Sequence, residues 1–140
     1  MTVVNFKINK ITAQRRDQNV KTIEVNANST IVSMKKDYDK RIGDYVLVNY
    51  KYEIKYGPEV GEIILEGSLW YYSDKLADEI KEDKKEIEIK KEAAQEISTS
   101  IIRECIIESI DLVKKLYLPP PMQLPAVNVK AEQMRFKRAE

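Results

Sequence analysis

The stretch that most restricts the fold is DYVLVNYKYEIKYG, residues 44–57. Val46, Val48, Tyr50, Tyr52, Ile54 and Tyr56 fall on one side of an extended chain, and Asn49, Lys51, Glu53 and Lys55 on the other. A period of two kept up this long fits a strand with one buried face and fits no helix. YGPEVG (56–61) then supplies Gly-Pro turn chemistry, and EIILEGSLWYY returns as the antiparallel partner. The chain must therefore build a sheet around this pair and cover one of its faces.

Two more strands precede the pair. VVNFKINKI places Val4, Phe6 and Ile8 on one face, and the alternation slips after Lys10, which predicts a bulge. TIEVNA alternates through Ile23 and Val25, and NSTIVSMKK extends it with a change of face at Val32 and Met34. After Tyr72 the period changes. SDKLADEIKEDKK predicts a short polar helix over 74–85, capped by Ser73 or Asp74, with Leu76 and Ile80 four apart. From about Glu88 to Leu116 one long helix is expected, with Ile97, Ile101, Cys105, Ile106, Ile110 and Val113 on an apolar stripe that Pro119 terminates. Asn128 is a fair N-cap for a final short helix to about Arg138. Strands first and helices last make an α+β class: one domain over 1–140, strands to about 72 and helices over about 74–138. The Ile-rich stripe is broad enough to bury surface on two sides, which points to an oligomer with Ile97, Ile101, Cys105, Ile106 and Ile110 at the contact.

Several chemistries are excluded by residue type. The chain has no His and one Cys, so His-based acid–base catalysis, Cys-His pairs and the usual zinc sites cannot form. Its four glycines make no phosphate-binding loop. No enzyme activity, cofactor or metal is expected. Net charge is +1, so nothing global recruits nucleic acid, and no apolar run is long enough to enter a membrane. A lone cysteine and the absence of a signal-like N-terminus fit a cytoplasmic protein. Cys105 lies on the apolar stripe and reads as core. Arg15-Arg16, Lys35-Lys36 and Lys40-Arg41 sit at strand ends, where solubility and edge protection compete with a nucleic-acid or scaffold role.

What remains is apolar surface. WYY (70–72) puts aromatics on both faces of one strand, and one core cannot take them all. A subunit contact and an apolar groove for an extended peptide both fit.

Arg103-Glu104-Cys105-Ile106 on the long helix, followed by LPPPMQLPAVNV with Pro119, Leu124, Pro125, Val127 and Asn128, resembles the C-terminal part of the SecB family of protein-export chaperones. EGSLWYY (66–72) is similar to that family's Gly-containing end of the last strand. The resemblance implies a four-stranded antiparallel sheet with a Greek-key-like crossover, and helices pairing into a dimer of dimers. It also implies ATP-independent holding of unfolded clients, for export or for a dedicated client such as an antitoxin. The interhelical loop would line part of the groove. Leu118, Met122 and Leu124 would then touch clients together with Val32, Met34 and Trp70 on the strands.

Overall fold

The computed structural model describes residues 2–16, 21–82 and 87–121. Four long strands, β1 (Thr2–Arg15), β2 (Glu24–Asp39), β3 (Gly43–Gly57) and β4 (Gly61–Tyr72), form one antiparallel sheet in the order β1-β4-β3-β2. The chain thus passes from one sheet edge to the other between β1 and β2, then meanders back until β4 lies beside β1. A helix, α2 (Lys91–Lys115), covers one face. This is the expected α+β arrangement.

The alternating stretch decides which face is covered. The inward set from Val46 to Tyr56 is buried, and it meets Ile63, Leu65, Leu69 and Tyr71 of β4 and Ile97, Ile101, Cys105 and Val113 of α2. Each such aliphatic side chain contributes about 1.5–3 kcal/mol when taken fully out of water. Gly67 sits where β1 crosses closest. A Cβ there would collide with the Lys7 carbonyl and lie 2.6 Å from the Tyr50 hydroxyl. The missing side chain lets that hydroxyl donate to Lys7 O at 2.8 Å, while Phe6 stacks on the Tyr50 ring at 5.0 Å.

Three details differ from the sequence reading. The register breaks twice in β1, between Val4 and Lys7 and between Ile8 and Lys10. Asn5, at φ 53°, turns the strand at the first break, so Val4 pairs with Trp70 on the uncovered face while Phe6 and Ile8 stay inside. The change of face expected at Val32 and Met34 comes from a bulge in β2 between Ile31 and Ser33, which turns Met34 to the core and leaves Val32 exposed. Second, the polar helix over 74–85 is only one turn, α1 (Leu76–Glu79), followed by a small hairpin of β5 (Ile80–Glu82) and β6 (Ile87–Ile89). Leu76 and Ile80 are both buried, but Ile80, Ile87 and Ile89 alternate as strand residues. Third, α2 starts at Lys91, since Ile87–Ile89 is spent on that hairpin. The final helix expected from Asn128 lies outside the described residues.

Helix α2 ends in a Schellman motif. Leu116 is the C-cap and Tyr117 turns left-handed at φ 51°. Leu118 N–H returns to Val113 O at 3.0 Å and Tyr117 N–H to Lys114 O at 3.4 Å. The hydrophobic partnership that accompanies this motif joins Leu118 to Val113, both buried. Arg15 donates to the exposed carbonyls of Leu116 and Tyr117, and Tyr56 donates to Pro119 O at 2.8 Å. Sheet and helix end are thereby tied together just before the proline run.

Candidate functional site

Two surfaces with apolar stretches remain uncovered among the described residues. The first runs along α2. Ile101, Cys105 and Ser109 form the buried row at i, i+4 spacing; Ile102, Ile106 and Ile110 repeat it one residue later, about 100° around the helix. Ile102 and Ile110 are exposed, Ile106 is half-buried, and Ile107 beside them is exposed. Of these, Ile102, Ile106 and Ile107 line, with Thr99 and Arg103, a shallow and almost wholly apolar depression.

The second surface is the sheet face away from α2, and it has two halves. Near the β3–β4 turn it is ionic. Arg16 holds Glu62 with two hydrogen bonds of 2.7 and 2.9 Å, and Gln14 donates to the same carboxylate. Lys51 lies 2.7 Å and Lys55 3.7 Å from Glu53. Hydrogen bonding from Arg16 is the largest force holding the Glu62 carboxyl below its usual range, and Lys51 does the same for Glu53. Toward the β2–β3 turn the face becomes aromatic. Trp70 pairs across the strands with Val4 on one side and Leu47 on the other, and Tyr45 stacks on it at 4.2 Å with a 21° tilt. Leu47, Trp70 and Tyr72 are half-buried there, with no element above them among the described residues. Val4, Asn5, Lys7, Arg41, Ile42 and Trp70 surround a notch at its rim.

The residues expected to touch clients do not gather at one place. Val32 is 62% exposed at the β2 bulge. Met34 is half-buried and packs on the helix-side core, while Trp70 belongs to the opposite face. Leu118 is a core residue for the Schellman reason given above, so its side chain is not offered to solvent. Met122 and Leu124 lie outside the described residues. Of the expected subunit-contact residues, Ile97, Ile101 and Cys105 are spent on the chain's own sheet and have no exposed atoms to offer a partner. Ile106 and Ile110 do reach the surface, with Ile102 and Ile107, which a single-stripe reading missed. The signal for these was the doublets Ile101-Ile102 and Ile106-Ile107, since adjacent apolar residues on a helix cannot share one narrow face.

Cys105 is structural. Burial pushes its thiol up to about 12, so no thiolate is present near neutrality. Burial likewise raises Tyr50 and Tyr71, and Tyr56 to about 12, which leaves these phenols as neutral hydrogen-bond donors. Several strand-end cations have local work: Arg15 on the helix end, Arg16 on Glu62, and Arg41 on Asp39 at 3.3 Å. No described helix is long and apolar enough to cross a membrane.

No protein-family model matches the sequence, and no curated protein does so. Among solved structures the fold is similar to that of a Mycobacterium tuberculosis SecB-like chaperone, Rv1957, described in complex with a ChAD peptide from the Rv1956 HigA1 antitoxin. The two share 14% identity with a TM-score of 0.54, over 91% of this chain and 89% of that one. At that identity the likeness is one of fold, and the architecture here is SecB-like: a four-stranded antiparallel sheet backed by a long helix.

Proposed function

We propose that this protein is an ATP-independent chaperone that holds non-native polypeptides. The observation that carries this reading is the aromatic half of the uncovered sheet face, where Trp70, Leu47, Val4 and Tyr72, braced by the buried Tyr45, form a shelf with nothing above it among the described residues. Unfolded segments present apolar side chains without a fixed shape. A broad, shallow aromatic surface suits them better than a deep specific pocket. The SecB-like fold, and the peptide bound by its mycobacterial neighbour, support the same reading. Val32 on the exposed β2 edge would extend the contact, and Met122 and Leu124 remain candidates for it.

Self-association completes the proposal. The Ile102–Ile106–Ile110 row and Ile107 fit a second copy, giving a dimer or a dimer of dimers. Several weak client contacts on linked copies then raise avidity by roughly 10²–10⁴. Light scattering after size exclusion should return a multiple of 16.3 kDa; a monomer at micromolar concentration would sink this part.

The direct test is turbidity of an unrelated, thermally aggregating enzyme, with and without this protein and without nucleotide. Suppression near stoichiometric ratio is expected. Unchanged aggregation at several-fold excess would end the chaperone reading. Sequence-dependent nucleic-acid retention at physiological salt would favour the strand-end cations instead.

A further inference from the structure

We propose that the notch at the rim of the aromatic shelf selects an apolar client side chain followed closely by a carboxylate. The proposal rests on the chaperone reading and names the client chemistry of its sheet face.

The notch is built for an anchor. Tyr45 braces one face of the Trp70 indole at 4.2 Å, which fixes the ring while leaving it half-exposed. The left-handed Asn5 sends Val4 to this side of the sheet, and the β2–β3 turn brings Ile42 to the opposite wall. An aliphatic or aromatic side chain entering here would meet three apolar walls. Among the described residues the charged members of the lining are Lys7 and Arg41; the carboxylates near it, Asp39 paired with Arg41 and Asp37 beside Tyr45, stand outside the lining. Arg41 is committed to Asp39 only through bonds of 3.3 and 3.4 Å, beyond the usual length for charged pairs, and its side chain is 82% exposed. A guanidinium carries five N–H donors, so it can take a client carboxylate as well. Lys7 is exposed on the next strand but one. A basic client residue would be drawn to the Trp70 face by cation–π attraction, but these two cations oppose it.

A single-stranded nucleic acid is the other polymer with flat rings and anions. It needs a row of cations to follow its backbone. Here Asp37 and Asp39 interrupt the basic residues of β2 and its turn, so the observations favour an acidic peptide.

Trp70 is the chain's only tryptophan, so its emission reads this notch directly. The probes are three tryptophan-free peptides with one Phe-Leu anchor, followed by Asp-Glu, Asn-Gln or Lys-Arg. The acidic peptide should shift Trp70 emission and bind about 3–10-fold tighter than the neutral one, with the basic one weakest. In 0.5 M salt the three should converge. The Lys7→Glu/Arg41→Glu protein should reverse the order, and Lys7→Gln/Arg41→Gln should level it, with a far-UV melt confirming that both fold. Equal affinities at low salt, an order that survives charge reversal, binding without any change in Trp70 emission, or tighter displacement by a short oligothymidylate would each overturn the proposal. Turbidity on the same samples separates the two claims. Aggregation still suppressed while charge order is absent removes the notch and leaves the chaperone. Neither suppression nor peptide binding removes both.

Discussion

The uncovered sheet face carries two halves on the same four strands, and they solve exposure in opposite ways. In the ionic half the charges answer one another: Glu62 takes Arg16 and Gln14, and Glu53 takes Lys51 and Lys55. Such a grid is content in water and needs no partner. In the aromatic half Tyr45 is buried under Trp70, while Trp70, Leu47 and Val4 stay only half-covered. Strand pairing is equally regular beneath both halves of β3 and β4, so backbone geometry does not distinguish them. The difference lies in side-chain chemistry alone, which is why the aromatic half reads as the working surface.

The largest effect is expected at the seam. Gly67 lies between Glu66 of one half and Ser68 of the other, on the inner side where β1 crosses. Gly67→Val would drive its branches into the Lys7 backbone and the Tyr50 hydroxyl. Overpacking of this kind costs about 1–3 kcal/mol and more where backbone must move. Denaturant melts should show that loss, and both halves should suffer together because β1 contributes to each. A variant as stable as the parent would mean that β1 is not held at this crossing.

Next comes Trp70→Ser. The stack on Tyr45 accounts for about 0.5–1.5 kcal/mol beyond area, and a half-buried ring adds somewhat more. Folding should survive while aggregation suppression falls several-fold. Lys51→Gln in the ionic half should leave suppression unchanged and stability within about 0.5 kcal/mol. Equal losses from both substitutions would erase the functional contrast between the halves.

Acid should act on the ionic half first. The folded-state pKa values of Glu62 and Glu53 are lowered, chiefly by hydrogen bonds from Arg16 and Lys51. A lowered carboxyl stabilises the fold fully above its unfolded pKa, and that contribution disappears as pH falls through the folded value. Urea midpoints should therefore decline from neutrality toward pH 3, and the decline should be shallower in Glu62→Gln. Trp70→Ser should run parallel to the parent across the same range. If Glu62→Gln titrates like the parent, the ionic grid is not coupled to folding. Glu79, whose burial is outweighed by hydrogen bonds from Ser73 and Tyr71, adds to the same decline from the other face.

Much of this was legible in the sequence because burial imposes a period. The β3 alternation, the β4 return, the face change at Val32 and the core position of Cys105 all follow from it. What was hidden depended on single-residue geometry. One left-handed Asn5 moved Val4 to the other face, and no local pattern announces that. Leu76 and Ile80 fit a helix by spacing, yet the Ile87–Ile89 alternation pairs back on Ile80 as a hairpin, so tertiary pairing overrode a short propensity. Leu118 looked like a loop residue beside prolines. A helix ending just before Pro119 also fits a Schellman motif, in which the second residue beyond the cap packs inward.

The smallest stability effects give the sharpest test, because two lysines of one strand sit in different halves. Lys10 lies across from Glu66, 4.0 Å from its carboxylate, with 70% of its side chain exposed. Lys7 lies across from Ser68 and lines the notch. Exposed pairs of this kind contribute at most about 1 kcal/mol and often nothing measurable. Lys10→Gln and Lys7→Gln should therefore melt within about 0.5 kcal/mol of the parent and of each other. Their binding should part company. Lys7→Gln should weaken the acidic probe about two- to threefold, the share of one exposed cation, while Lys10→Gln leaves it unchanged. The substitutions are chemically identical and lie three residues apart on the same edge strand. A difference can then arise only from which half of the face each lysine serves. Equal weakening by both would mean that the probe feels net charge alone, and the aromatic half would lose its claim to be a separate site.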